Sequence, residues 1–107
     1  MDRPTPRVNA ERLAQYPEGK VVRLVGKVVN LTDDAAILEA SDGGQVTVKL
    51  GSLSGLSDTF VEVVGKVTGS NSMNELSSLN LGDNIDMEAA NKVVELTHQY
   101  PDVYPTE

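Results

Sequence analysis

Apolar and polar positions alternate through most of the chain, with the period of half-buried strands. Over Val21–Asn30 the pattern puts Val22, Leu24, Gly26 and Val28 on one face and Arg23, Val25, Lys27 and Val29 on the other. After a turn at Leu31–Asp34, Ala35–Ala40 alternates through Ala36, Leu38 and Ala40. Gln45–Leu50 sets Val46, Val48 and Leu50 inward against Thr47 and Lys49. Between these two strands Ser41-Asp42-Gly43-Gly44 is a hairpin signal, because adjacent glycines supply positive φ. Phe60–Gly69 nearly copies the first strand: Val22-Arg23-Leu24-Val25-Gly26-Lys27-Val28 matches Val61-Glu62-Val63-Val64-Gly65-Lys66-Val67. Met73–Leu81 reads as a weaker fifth strand, with Leu79 and Leu81 on one face. The connector Gly51–Asp58 carries Leu53 and Leu56 three apart, which predicts a helical turn or short helix.

Three strands, a connector, two strands and a terminal helix fit a small closed barrel of the OB type. The expected fold is all-β with flanking helices, in one domain over residues 1–107. Its parts are an irregular arm (1–8), a short helix (9–16), the barrel (20–81), a C-terminal helix (84–100) and a polar tail (101–107). Asn9 is a good N-cap for the first helix, and Val8 with Leu13 makes a hydrophobic staple. Strands that serve both sides of a barrel must bend, and glycine removes the side chain that would clash. Gly26 and Gly65, in the middle of the twin strands, are therefore assigned as the barrel's bends; a duplicated repeat is disfavoured because the flanking segments do not match.

On the C-terminal helix, 100° per residue gathers Ile85, Leu96, Ala89, Tyr100 and Val93 within about 0–80°. Thr97, Ala90, Val94 and Met87 fall within about 120–200°, and His98, Asn91, Glu95, Glu88, Gln99 and Lys92 fill the polar remainder. Asp86 reads as the N-cap. A surface helix needs an apolar stripe of roughly 100°, and this one approaches 200°. One half can pack on the barrel; the other half is expected to meet a second protein.

Charge narrows the function. Residues 1–49 are neutral, and residues 50–107 carry the whole net charge of −7. There is no basic stripe of the kind that lets a domain bind nucleic acid by itself. The aromatics are Tyr16, Phe60, Tyr100 and Tyr104, none within the second or third strand, so no base-stacking platform is expected. Arg23, Lys27, Lys49 and Lys66 are left as candidates for a weak DNA contact. Without cysteine there is no disulfide or thiolate metal site. No apolar run approaches the ~20 residues of a membrane span and no signal-peptide core is evident, so an intracellular protein is expected.

Catalytic chemistry finds no foothold. The one histidine, His98, lies on the polar arc and reads as an exposed residue near the helix C-terminus. Gly65-Lys66 is followed by valine and lacks the upstream glycine of a phosphate-binding loop. Asp33-Asp34 reads as a solvated turn. No active site, cofactor or metal is expected.

The run Asn9-Ala10-Glu11-Arg12-Leu13-Ala14-Gln15-Tyr16, then Val25-Gly26-Lys27, Ser41-Asp42-Gly43 and Val61–Val67, resembles the small subunits of replication protein A. The resemblance continues through Asn91, Val93, His98, Tyr100-Pro101 and Tyr104-Pro105, covering nearly the whole chain in order. A shorter turn between the second and third strands and a polar, small Ser70–Asn74 depart from it. The resemblance implies an OB fold whose terminal helix joins helices of the middle and large subunits in a three-helix bundle. It implies a non-enzymatic, nuclear role in DNA replication, repair and recombination, with single-stranded DNA met through the complex. Carried over by position, the partner interface is Met87, Ala90, Val93, Val94, Thr97 and Tyr100. The smallest subunit of a telomere-end-binding complex, sharing the fold and helix-mediated pairing, is the alternative.

Overall fold

The computed structural model describes residues 5–52 and 54–99. In chain order its elements are β1 (Arg7–Val8), α1 (Ala10–Leu13), β2 (Val21–Leu31), β3 (Ala35–Ala40), β4 (Gln45–Lys49), β5 (Phe60–Gly69), β6 (Ser72–Gly82) and α2 (Met87–Gln99). Leu53, Tyr100 and the tail lie outside the described residues.

β2 pairs with β3, β3 with β4, β4 with β6, β6 with β5, and β5 returns to β2. The circuit is a closed five-stranded barrel of the OB type, parallel only between β4 and β6. Closure leaves no long unpaired edge. The end of the arm is not irregular: β1 adds to β2 in parallel, Arg7 opposite Arg23 and Val8 opposite Leu24. A two-residue strand between prolines and a cap residue leaves too short an alternation to read.

The twin segments are each other's partners. They run antiparallel from Val21 opposite Lys66 to Lys27 opposite Phe60. At Gly26, β2 pairs with Val61 on one side and with Ala40 of β3 on the other. A Cβ there would lie 3.0 Å from Leu38 Cβ and 3.1 Å from the Glu39 carbonyl oxygen. Gly65 sits opposite Val22 and Glu75, beside a register shift at Val64/Gly65, and a Cβ there would overlap the Asn74 carbonyl. Both positions are places where backbone crosses closely over backbone.

The core is aliphatic: Val22, Leu24, Leu38, Val46, Val48, Val61, Val63 and Met73 are fully buried, and Val8 and Leu13 join the same cluster. In the β3–β4 turn only Gly43 has positive φ, 90°. Gly44 answers a different need, since a Cβ there would collide with Ala10 of α1. The connector is not helical among its described residues. Gly51, Ser54, Gly55 and Ser57 are poor helix formers, and β6 side chains satisfy the backbone instead. The Glu75 carboxylate accepts from Gly51 N at 2.9 Å and Ser54 Oγ at 3.0 Å. Asn80 Oδ1 accepts from Ser57 N and Asp58 N, and its Nδ2 donates to Gly55 O. The last strand, expected to be weak, runs eleven residues. Its interior serines and asparagines hide the alternation, and Leu76 and Leu79 both stay exposed.

Candidate assembly surface

α2 begins where Asp86 Oδ1 accepts from Ala89 N at 3.1 Å, an N-cap that fixes the first turn. Its polar arc then does something the periodicity does not show: it docks on α1. Asn9, only 1% exposed, caps α1 by accepting from Arg12 N at 2.9 Å. The same side chain donates from Nδ2 to Asn91 Oδ1 at 2.8 Å and to Glu95 Oε2 at 3.0 Å. Arg12 forms an ion pair with Glu95 at 2.7 Å, and Ser41 Oγ donates to Asn91 Oδ1 at 3.1 Å. Asp42, from the β3–β4 turn, accepts from Ala10 N and Glu11 N at the start of α1. Among the described residues no buried side-chain nitrogen or oxygen at this joint lacks a partner, the condition under which a half-buried network fixes one arrangement.

His98 belongs to this joint and is not solvated as expected. Its Nδ1 lies 2.9 Å from the Val94 carbonyl, which can only accept, so Nδ1 carries a proton. Its Nε2 lies 2.9 Å from the Tyr16 hydroxyl, which donates to it when the ring is neutral. The Tyr16 and His98 rings meet edge to face, 6.0 Å apart. Glu95 is held below the ordinary carboxylate range, chiefly by the Arg12 hydrogen bond, with desolvation opposing and Asn9 adding to the shift. The same contact raises Arg12.

These bonds set the rotation of α2 and so decide which apolar half faces where. Val94 is 5% exposed and Thr97 7%, with Thr97 Oγ1 donating to Val94 O at 2.7 Å. Met87 and Ala90, on the same arc, are half-buried. Val93 and Leu96 are 45% and 42% exposed, and Ala89 is exposed beside them. Of the positions assigned to the partner from the resemblance, Val94 and Thr97 are buried within the chain itself, and Met87 and Ala90 are partly so. Val93 stays outward; Tyr100 is outside the described residues. Ala89 and Leu96 join Val93 on the outward arc, visible in the sequence as one of two apolar halves that periodicity could not tell apart.

Beside the outward arc a cleft of about 420 Å³ opens between α2 and the barrel wall. Val93, Leu96 and Ala90 form one side, Val25 of β2 the other, and Arg7 and Arg23 stand along it.

The four candidate DNA contacts do not form one track. Arg23 is half-buried, its Nε 4.0 Å from Glu62. Lys27, exposed, is opposite Glu39. Lys49 and Lys66 are exposed on either side of Asn74 in one cross-strand row, two strand spacings or roughly 10 Å apart. Among the described residues no group of three or more His, Cys, Asp or Glu could hold a metal ion, and no helix is long and apolar enough to cross a membrane.

Residues 1–104 match the family model described as Replication factor A protein 3. The chain is 32% identical over 105 residues to Replication factor A protein 3 of Schizosaccharomyces pombe, covering 97% of this chain and 98% of that one. Its fold matches a chain in the structure of U. maydis replication protein A bound to single-stranded DNA, with a TM-score of 0.90 and 33% identity over 97% of this chain and 98% of that one. A chain of the S. pombe Stn1–Ten1 complex matches with a TM-score of 0.73 at 14% identity, over 92% and 96% of the two chains. That last likeness is one of fold alone, and the telomeric alternative rests on nothing more.

Proposed function

This chain belongs to the Replication factor A protein 3 family, and from that premise we propose that it is the structural subunit of a heterotrimeric single-stranded-DNA-binding complex. α2 holds it to the middle and large subunits, and through them it serves DNA replication, repair and recombination in the nucleus. The observation that carries this reading is the outward arc: Ala89, Val93 and Leu96 stay exposed on a helix that buries Val94 and Thr97 and ties Asn91 and Glu95 to Asn9 and Arg12. An apolar face kept in water by a satisfied polar joint is what an assembly helix requires.

The subunit acts as a binding partner and not as an enzyme. DNA is met through the assembled complex, with the Lys49–Lys66 row contributing at most a weak electrostatic contact on a chain of net charge −7. The reading is tested by co-purification. Full-length chain should bring down both larger subunits, and a chain ending at Asp83 should bring down neither. Both subunits retained without α2 would move the contact to the barrel.

A further inference from the structure

We propose that the cleft between β6 and the connector takes a basic, extended peptide segment of a partner protein, which adds as a short strand to the free edge of β6. On one side β6 pairs with β5 from Ser72 to Gly82, but on the other β4 reaches only Ser72, Met73 and Asn74. Beyond Asn74 the connector stands where a strand would be. It is tied on by side chains, Glu75 at one end and Asn80 at the other, and no backbone hydrogen bond from the described residues reaches the edge between them. A cleft of about 380 Å³ lies there, with Ser77 and Ser78 on the strand side and Gly51, Ser54 and Gly55 on the connector side. Ser77–Asn80 is a regular stretch, opposite Val64 to Val61 in unbroken register. In an antiparallel ladder alternate residues turn their N–H and C=O away from the partner strand, so two of these four present backbone groups to the free side. Such groups are a template for an added strand. No residue lines both this cleft and the one beside α2, so the site is separate from the assembly surface.

The surroundings identify the occupant. The connector wall is made of small residues, and a Cβ on Gly55 would meet nothing within 4 Å, so a second backbone has room to pass. Leu76, which the register shift leaves without a partner on β5, lines the cleft and is exposed, ready to meet an apolar side chain. The charged residues of the connector and of β6 beyond Asn74 are Asp58 and Glu75, and Asp83 follows them; all are acids. None of the three forms an ion pair among the described residues. Lys49 and Lys66 flank Asn74, where β4 already occupies the edge. A segment carrying Lys or Arg supplies the missing counter-charge. A nucleic-acid backbone would bring phosphates against these acids, and a second copy of this chain laid edge to edge would bring the same acids against themselves. A basic strand with apolar side chains between its charges fits the edge, the leucine and the acids together.

The test uses the full-length chain, isotope-labelled for NMR, with an alternating lysine–valine nonapeptide as the probe. The amide signals of Gly55, Ser77, Ser78 and Leu79 should move on titration, and outward amides of β6 should exchange more slowly. Methylating alternate backbone nitrogens of the peptide keeps its charges and side chains but removes its donors along one edge. Binding should then fall by about tenfold or more. Gly55→Leu puts bulk where the free protein has room for a Cβ. It should weaken the unmethylated peptide by a similar factor while the circular dichroism stays that of the wild type. An alternating glutamate–valine peptide should leave the signals where they are. Signals at Ser77–Asn80 that do not move, or binding undiminished by methylation or by Gly55→Leu, overturn the proposal. The same signals moving instead with a thymidine oligonucleotide, or with the concentration of the chain itself, overturn it too, and assign the edge to nucleic acid or to a second copy.

Discussion

Val93 and Val94 are neighbours in α2, yet Val94 is buried within the chain, 5% exposed, and Val93 is 45% exposed on the outward arc. The boundary between the chain's own packing and its exposed apolar arc runs between them, set by the 100° step of a helix. Aspartate at the two positions should therefore do different things. Val94→Asp should lower stability by roughly 2–4 kcal/mol, through lost apolar burial and a desolvated carboxylate. Val93→Asp should leave it within about 0.5 kcal/mol. Urea unfolding of the isolated chain measures both, and equal losses would contradict the rotation of α2 described here.

Asn9 caps α1 and also donates to Asn91 and Glu95. Asn9→Asp separates the two roles. Aspartate caps as well as asparagine, but it cannot donate and sets a second carboxylate against Glu95. The α1 amides should keep their protection from hydrogen exchange while those of α2 lose it. Asn9→Ala should weaken both helices and cost about 1–3 kcal/mol in all.

The Arg12–Glu95 pair makes helix docking sensitive to acid. Glu95 is lowered from its ordinary 4.5, so its contribution is complete above that value and is lost as the pH falls through the lower folded one. With side-chain exposures of 25% and 31% the pair is worth about 1 kcal/mol or less. The stability difference between the wild type and Glu95→Gln should be fully present at neutral pH and shrink as the pH is taken progressively below the ordinary carboxylate range.

The two barrel glycines should differ under the same substitution. At Gly65 a Cβ would meet the Asn74 backbone, which cannot move without breaking the β5–β6 ladder. At Gly26 it would press on the Leu38 side chain and the Glu39 carbonyl at 3.0 and 3.1 Å. Gly65→Ala should cost about 3 kcal/mol or prevent folding, and Gly26→Ala about 1–2 kcal/mol. Thermal unfolding ranks them, and the reverse order would contradict the close crossing at Gly65.

The barrel was legible because β2 to β5 alternate cleanly and β2 and β5 are near copies. Less could be read of what tertiary partners decide. β1 is too short to show a period, and the connector is held by Glu75 and Asn80 from a strand more than twenty residues away. The partner helix was legible as an over-wide apolar surface, but not its orientation. That depends on Asn91, Glu95 and His98, which look like any solvated face until Asn9, Arg12 and Tyr16 are brought against them from the other end of the chain.

The most direct measurement is co-expression of the Val93→Asp/Leu96→Asp chain with the middle and large subunits, followed by light scattering on the purified material. The account predicts a folded monomer, with circular dichroism and melting close to wild type, that fails to co-purify with either subunit. Recovery of the intact trimer at the wild-type yield would contradict it and place the assembly surface elsewhere.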